Sequence, residues 1–302
     1  MRLRVGIGLA VIAIGLAGIR GSVFDLGLPS HPPVRESDAV IMAAGDIASC
    51  DVHADALVGS LVGSHGTATV AALGDLVYPA GTAARFRACY HEAWGGVRDR
   101  TRPTPGNHDI EVDGGFAYFE YFGGSAGTPG EGWYAYDAGS WRVVVLNTNC
   151  RLVQCEAGSP QHEWLQAELD RSDARCTLAY FHHPITGSGM HGRYPLVDPL
   201  WAALTDADVD LVLAGHEHHY ERFGPLDAEA RPNPDGIPMI IVGTGGIELR
   251  RAGPPVPGSE ELIDGAFGAL RLTLQPDGYS WAFLALEGGG VTVRDSGSGS
   301  CR

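Results

Sequence analysis

Five apolar runs along the chain stop abruptly at side chains able to hold a cation. "AVIMAAGD" ends at Asp46 and "TVAALGD" at Asp75; "TRPTPGNHD" delivers Asn107, His108 and Asp109. "TLAYFHHP" delivers His182 and His183, and "VDLVLAGHEH" delivers His216 and His218. Continuous apolar runs of about 4–8 residues bounded by turn signals predict strands buried on both faces. Between them lie helix-like segments at 54–62, 83–94, 159–170 and 198–204. The third is the clearest. Ser159 can cap it, Pro160 suits the first helical position, and Trp164, Leu165 and Leu169 share a face. Strand and helix alternate at about 30 residues per unit, the βαβ pattern of a parallel or mixed sheet, which predicts an α/β fold. Ligands of such sheets bind beyond the carboxyl ends of the strands, so one site can collect all five clusters.

The last third changes pattern. "PMIIVGTGG", "GALRLTLQPDGYSWAFLAL" and "GVTVRD" alternate apolar and polar residues about a Pro-Asp-Gly turn and predict antiparallel strands. Residues 252–258 read as a loop. "GTGG" at 243–246 lacks the Gly-Lys-Ser/Thr ending of a phosphate loop and reads as a tight turn near the site. The tail "DSGSGSCR" is expected to be mobile unless Cys301 is tied down.

Composition narrows the setting. The 302 residues are 44% hydrophobic and 19% charged, the balance of a folded chain. The net charge is −15, and every basic residue is Arg, with no Lys. An acidic surface repels phosphate backbones, so no nucleic-acid scaffold is expected as a partner. That leaves room for phosphate chemistry where bound cations set the local charge. Arg2 and Arg4 precede an apolar run at 5–18, short for a membrane span and suited to a signal-peptide core. Cleavage near Gly15-Leu16-Ala17 gives a secreted or extracytoplasmic protein. An uncleaved N-terminal anchor is the alternative, and the only route to stable membrane association. No cysteine follows the run, which argues against a lipoprotein. Residues 1–30 are therefore set aside, and 31–302 are expected to form a single domain. Six cysteines fit an oxidising compartment, with Cys150–Cys155 and Cys50–Cys89 as the expected local pairs. No protein partner is evident.

Asp, Asp, Asn, His and His at strand ends form an oxygen and nitrogen ligand set without thiolate, suited to Mn, Fe or Zn. One carboxylate can bridge two cations about 3.5–4 Å apart, clamping the oxygens of an in-line displacement at phosphorus. The five blocks "GDIASC", "GDLVY", "GNHD", "FHHP" and "GHEHHYER" resemble, in the same order, those of the calcineurin-like metallophosphoesterases. The wording is closest to the purple-acid-phosphatase-like branch, in its bacterial secreted type. The resemblance covers nearly all of the chain after the first 30 residues. It departs at Ala48, where many relatives carry Gly.

The resemblance implies a fold of two mixed β-sheets packed as a sandwich and flanked by helices, a four-layer αββα catalytic domain. About 15 residues separate the export segment from Asp46, leaving no room for the extra N-terminal β-domain of larger relatives. The resemblance also implies two metal ions as cofactors. Asp46, Asp75, Tyr78 and His218 would take Fe(III); Asp75, Asn107, His182 and His216 would take a divalent Fe, Zn or Mn, with Asp75 bridging. Tyr78 is otherwise a core aromatic beside Pro79. By the same resemblance His108 contacts the phosphate or assists the leaving group, with Asp109 as its orienting carboxylate. His191 faces the substrate or is an exposed loop histidine. His182 is preferred to His183 because the family ligand stands two positions before the proline; His183 is then a neighbour of the ligands or a surface residue. With Gly215 extended, His216 and His218 project to one side and His219 away. Glu217 and Glu221 orient neighbours or face solvent, Tyr220, Glu221 and Arg222 support the loop, and Arg250 and Arg251 are a solvated pair in preference to contacts for a substrate phosphate. The implied activity is hydrolysis of a small phosphate ester, most simply a monoester, by direct attack of a metal-bound hydroxide. The alternatives are a phosphodiesterase or nucleotidase on the same metals, or a catalytically silent secreted metal-binding protein.

Overall fold

The computed structural model describes residues 38–302, so the expected export segment lies outside the described residues. Three parallel strands open the fold: β1 (Ala39–Ala44), β2 (Thr69–Leu73) and β3 (Thr101–Thr104). A second sheet is built from β4 (Tyr134–Ala138), β5 (Trp141–Val145), β6 (Cys176–Tyr180), β7 (Leu211–Ala214), β8 (Tyr220–Leu226), β9 (Ile237–Val242) and β10 (Ser259–Ile263). The chain then returns to the first sheet with β11 (Gly268–Gln275), β12 (Gly278–Glu287) and β13 (Gly290–Ser300). The two sheets read β13-β12-β11-β1-β2-β3 and β10-β8-β9-β7-β6-β5-β4. Both mix parallel and antiparallel pairs, as expected.

Alternation along the second sheet shows how the layers are made. Val143, Val145, Leu178, Tyr180, Leu211, Leu213, Ile240 and Val242 pack into the core shared with the first sheet. Their neighbours Val144, Ala179, Val212, Ala214, Met239 and Ile241 pack the other way, against Leu165 of the helix Pro160–Arg171 and Trp201 and Leu204 of the helix Asp198–Asp206. A strand with period-two side chains between two apolar layers must be apolar at every position, which is why these runs are continuous in the sequence. The outer layer over the first sheet includes the helix Ala54–Gly63 and the helical segment 83–94, which widens to a π turn over Phe86–Tyr90. Ser159 caps its helix as expected, its Oγ accepting from His162 N at 3.4 Å.

The C-terminal region departs from expectation in one place and, in its tail, meets the condition set for order. β9 pairs antiparallel with β8 but parallel with β7, so "PMIIV" is a central strand and not part of a purely antiparallel end. The Gly/Ser-rich tail forms β13, paired along its length with β12. Its end is fixed by a disulfide between Cys176 and Cys301; Cys50–Cys89 and Cys150–Cys155 are the other two bridges. Pairing with a long neighbouring strand overrides the poor strand propensity of Gly and Ser. Among the described residues no helix is long and apolar enough to cross a membrane.

Candidate metal centre

The parallel strands of both sheets end at one edge of the sandwich, and the turns beyond them interlock. Asp46 N donates to Gly74 O and Ile47 N to Asp75 O, so the turns after β1 and β2 run side by side. Tyr78 N donates to Ala48 O at 2.7 Å, so the alanine at the family's usual glycine position still supports the turn. Gly215 N donates to His182 O, joining the turns after β6 and β7. His182 Nδ1 lies 2.9 Å from Leu73 O, a bond that links the sheets and leaves Nε2 facing the cleft. The backbone at Asp46, Asp75 and His216 is left-handed, with φ of 59°, 50° and 71°. Such conformations are uncommon outside glycine and cluster at functional sites. Gly74 has φ of 83°, and a Cβ there would stand 2.5 Å from His182 Nδ1; only glycine lets that ring approach.

Each central carboxylate gives one oxygen to the backbone and turns the other inward. Asp46 Oδ2 accepts from His216 N at 2.7 Å, and Asp75 Oδ1 accepts from His108 N at 2.8 Å. Around the inward oxygens the side chains form two overlapping groups. In the first, Tyr78 Oη is 2.8 Å from Asp46 Oδ1, 3.0 Å from Asp75 Oδ2 and 3.2 Å from His218 Nε2. His218 Nδ1 is bonded to Glu248 O at 2.8 Å, so its Nε2 presents a lone pair to this group. In the second, His182 Nε2 is 3.3 Å from Asp75 Oδ2 and 3.1 Å from His216 Nδ1. Asp75 belongs to both. Asn107 Oδ1 is buried with no hydrogen-bond partner among the described residues. A buried carbonyl oxygen without a donor is costly, and a cation is the partner that such a convergence of lone pairs accommodates. The residues present therefore fit a pair of metal ions held by oxygen and nitrogen.

The electrostatics of the bare side chains agree. Burial drives Asp46 up to about 7, helped by Asp75 and opposed by His182. Burial also acts on Asp75, but His182, His108 and His216 outweigh it and hold that carboxyl well below the usual range. His182 is pulled up to about 9 against burial, chiefly by Asp75. Burial, then the neighbouring histidines, holds His216 well below its ordinary value; burial, then Arg250, takes His218 down to about 4. Protons here are shared among groups that a multivalent cation would hold in their ligand forms.

Other expected residues fall into place around this centre. His108 Nδ1 bonds to Pro79 O at 2.8 Å, its ring lies against Tyr78, and its Nε2 is 3.9 Å from Asp75 Oδ2. Asp109 does not orient that ring. Its two oxygens accept from Leu76 N and Gly106 N, at 2.9 and 2.8 Å, so it ties the turns after β2 and β3 together. The left-handed backbone at His216 also changes the expected geometry of its loop. His216 and His218 serve different groups, one beside His182 and the other beside Tyr78. His219 is buried, with Nε2 3.2 Å from Glu221 Oε2. Glu217 and Glu221 are buried and hold the loop opposite: Glu217 Oε1 accepts from His191 N and Gly192 N, and Glu221 accepts from Ser188 N and Oγ. That loop brings His191 Nδ1 to 2.8 Å from His216 Nε2.

Two further residues reach the centre without a clear signal in the sequence. Arg250, expected to be solvated, places a guanidinium nitrogen 3.4 Å from His191 Nε2. His183 is buried beside His216, with ring centroids 4.4 Å apart, and is stacked on Tyr194. The doubled histidine before Pro184 hints at His183, and the Arg250-Arg251 pair near the C-terminal loops hints at a phosphate contact without telling which arginine turns inward.

The arrangement finds its counterpart among known proteins. A family model described as calcineurin-like phosphoesterase matches residues 36–220, more than half of the chain. The chain belongs to the calcineurin-like phosphoesterase family. Within the family it is similar to an uncharacterized Mycobacterium tuberculosis protein, 32% identical over 201 residues, covering 59% of this chain and 35% of the relative. It is equally similar to purple acid phosphatase 21 of Arabidopsis thaliana, 32% identical over 152 residues, covering 47% of this chain and 34% of the relative. The chain thus spans about a third of the length of these relatives. In structure it resembles the purple acid phosphatase PPD1 of yellow lupin, with a TM-score of 0.74 over 88% of this chain and 54% of that one, at 18% identity. The two-sheet sandwich of this chain is therefore a fold it shares with that protein.

Proposed function

We propose that the chain is a secreted, binuclear metal-dependent phosphomonoesterase. The observation that carries this reading is the convergence of Asp46, Tyr78, His218, His182 and His216 on the two sides of Asp75, with Asn107 Oδ1 left without a partner among the described residues. Asp46, Asp75, Tyr78 and His218 would hold a trivalent iron, for which a phenolate is a hard anionic ligand. Asp75, Asn107, His182 and His216 would hold a divalent iron, zinc or manganese. When bound, such a pair supplies Lewis-acid polarisation of the phosphoryl oxygens and an activated water at neutral pH.

The chain's own residues do the rest. Asp75, whose Oδ2 is near both Tyr78 and His182, would be the ligand that the two groups share. The backbone N–H groups of His216 and His108 hold Asp46 and Asp75 in orientation. With Nδ1 engaged by Pro79 O, His108 can carry a proton on Nε2 and deliver it to the departing ester oxygen. His191, positioned by Glu217 and beside Arg250, binds a phosphoryl oxygen at the mouth. Asp109 is a positioning residue for the Asn107 turn. Three disulfides support a location outside the reducing cytoplasm.

The test is phosphate release from an aryl monoester and from the matching diester, with Asp75→Asn as control. Monoester turnover that the substitution abolishes supports the reading. Preferential diester turnover would replace the substrate class and leave the centre. Absence of turnover on both, with metal bound, would remove the enzyme reading.

A further inference from the structure

Beside the metal centre opens a cavity of about 420 Å³ whose lining joins the centre to a part of the chain that no ligand motif includes. Asn107 and His216 of the centre line it together with Arg151, Leu152 and Tyr194, and His183 lies against both His216 and Tyr194. The volume is that of a small-ligand site. Part of its wall is a run of rings: that of His183 lies 4.4 Å from that of His216 and stacks on Tyr194 at 4.5 Å and 19°; Glu111 and Asn149 complete the lining. Leu152 faces it with 60% of its surface exposed, an unpartnered apolar side chain beside a charged centre. We propose that this cavity receives the leaving group of the ester and selects an aromatic one. The inference rests on the phosphatase reading for the meaning of "leaving group", but the cavity's preference for a ring can be measured without turnover.

The far wall is built to stay in place. Arg151 and Leu152 lie between Cys150 and Cys155, whose disulfide closes the turn. Just before it, Asn149 Nδ2 donates to Pro105 O at 3.0 Å and to Asn147 Oδ1 at 2.8 Å, tying the turn to the segment that carries Asn107. Gln161 fixes Asn147 from the other side, accepting from its N–H and donating to its carbonyl. The intermediate wall is held as well. Thr148 Oγ1 accepts from His183 N at 2.9 Å and lies 3.1 Å from His183 Nδ1, so one hydroxyl holds both the backbone and the ring of His183. A preorganised apolar wall gains contact with a ring at little ordering cost, whereas a short alkyl group leaves the same surface wet. Arg151 and Glu111 both line the cavity, so the wall carries one charge of each sign and its selectivity rests on the rings and Leu152.

The decisive comparison uses benzyl phosphate and ethyl phosphate, which leave as alkoxides and differ in the ring. Non-hydrolysable phenylphosphonate and methylphosphonate, bound to the same purified full chain and followed by calorimetry, give the parallel reading in Kd. The expected result is a ring preference of about tenfold in both kcat/KM and Kd. That ratio should fall to near one in Leu152→Ser, a change at an exposed position that leaves the fold intact. A ratio near one in the parent protein, or a ratio that Leu152→Ser leaves unchanged, would overturn the proposal. Turnover of both esters without ring preference removes this proposal and leaves the phosphatase. Ring preference in phosphonate binding without turnover of either ester supports the cavity and removes the phosphatase.

Discussion

Two regions of the sandwich bury clusters of charged and polar side chains, and they do so in opposite ways. At one edge, β8 of the second sheet meets β13 of the first through Asp295, whose Oδ2 accepts from Tyr220 Oη at 2.6 Å, Arg222 Nε at 2.7 Å and Trp281 Nε1 at 3.1 Å. Arg222 is also paired with Glu260. Donors there meet acceptors, so the cluster is complete in itself and acts as a clasp between sheets. At the carboxyl ends of the parallel strands, ligand-type oxygens and nitrogens crowd around few donors, Tyr78 Oη serving both Asp46 and Asp75. Imidazole nitrogens face carboxylate oxygens and one another, three residues hold a left-handed backbone, and Asn107 Oδ1 has no partner among the described residues. A region whose polar groups are unfinished within the protein, yet held rigidly by the backbone around them, is one built to be completed by something else.

The largest expected effect comes from removing the unpartnered group of the unfinished region. In Asn107→Ala, turnover should fall by more than about a hundredfold, beyond the loss typical of residues that only orient ligands. The metal-free protein should lose no stability, because the side chain removed has an unsatisfied oxygen. A matching drop in Tm of the metal-free protein would show that Asn107 is structural and would blur the contrast with the clasp.

The sequence foretells the unfinished region better than the finished one, for a physical reason. Each ligand candidate directly follows its strand in the chain, so an apolar run and a polar stop are visible within about ten residues. The clasp joins Tyr220 and Arg222 to Asp295, and the Cys176–Cys301 bridge spans 125 residues; neither leaves a local trace. The helix Phe116–Phe122, reading "FAYFEYF", escapes pattern reading because apolar residues cover nearly its whole circumference and give no amphipathic period. Asp109 misleads in the opposite sense. It stands two residues from Asn107 in the chain, but a tight turn aims its carboxylate at backbone N–H groups.

That carboxylate supplies the middle test. Asp109→Ala should strip the acceptor from two buried N–H groups and cost about 2–4 kcal/mol, lowering Tm by several degrees whether or not metal is bound. Loss of turnover without loss of stability would instead return Asp109 to the chemistry.

The smallest effect belongs to the clasp. Burial raises the Asp295 carboxyl, but hydrogen bonds from Arg222, Tyr220 and Trp281 outweigh it and leave the folded value below the ordinary 3.8. Its contribution is therefore complete above about pH 4 and lost as pH falls through the folded value. Asp295→Asn should flatten the dependence of unfolding free energy on pH below that point and leave turnover at neutral pH within about twofold. An unchanged acid slope would mean that the clasp does not depend on the Asp295 charge.

The central claim is that the unfinished region takes two cations, one on each side of Asp75. The direct measurement is metal content per chain in the purified protein, read with its visible absorption, for the parent and for Asp75→Asn. The account predicts two ions per chain, including iron with a charge-transfer band from Tyr78, and loss of both ions and colour in the variant. One ion or fewer in the parent, with no visible band, would contradict it.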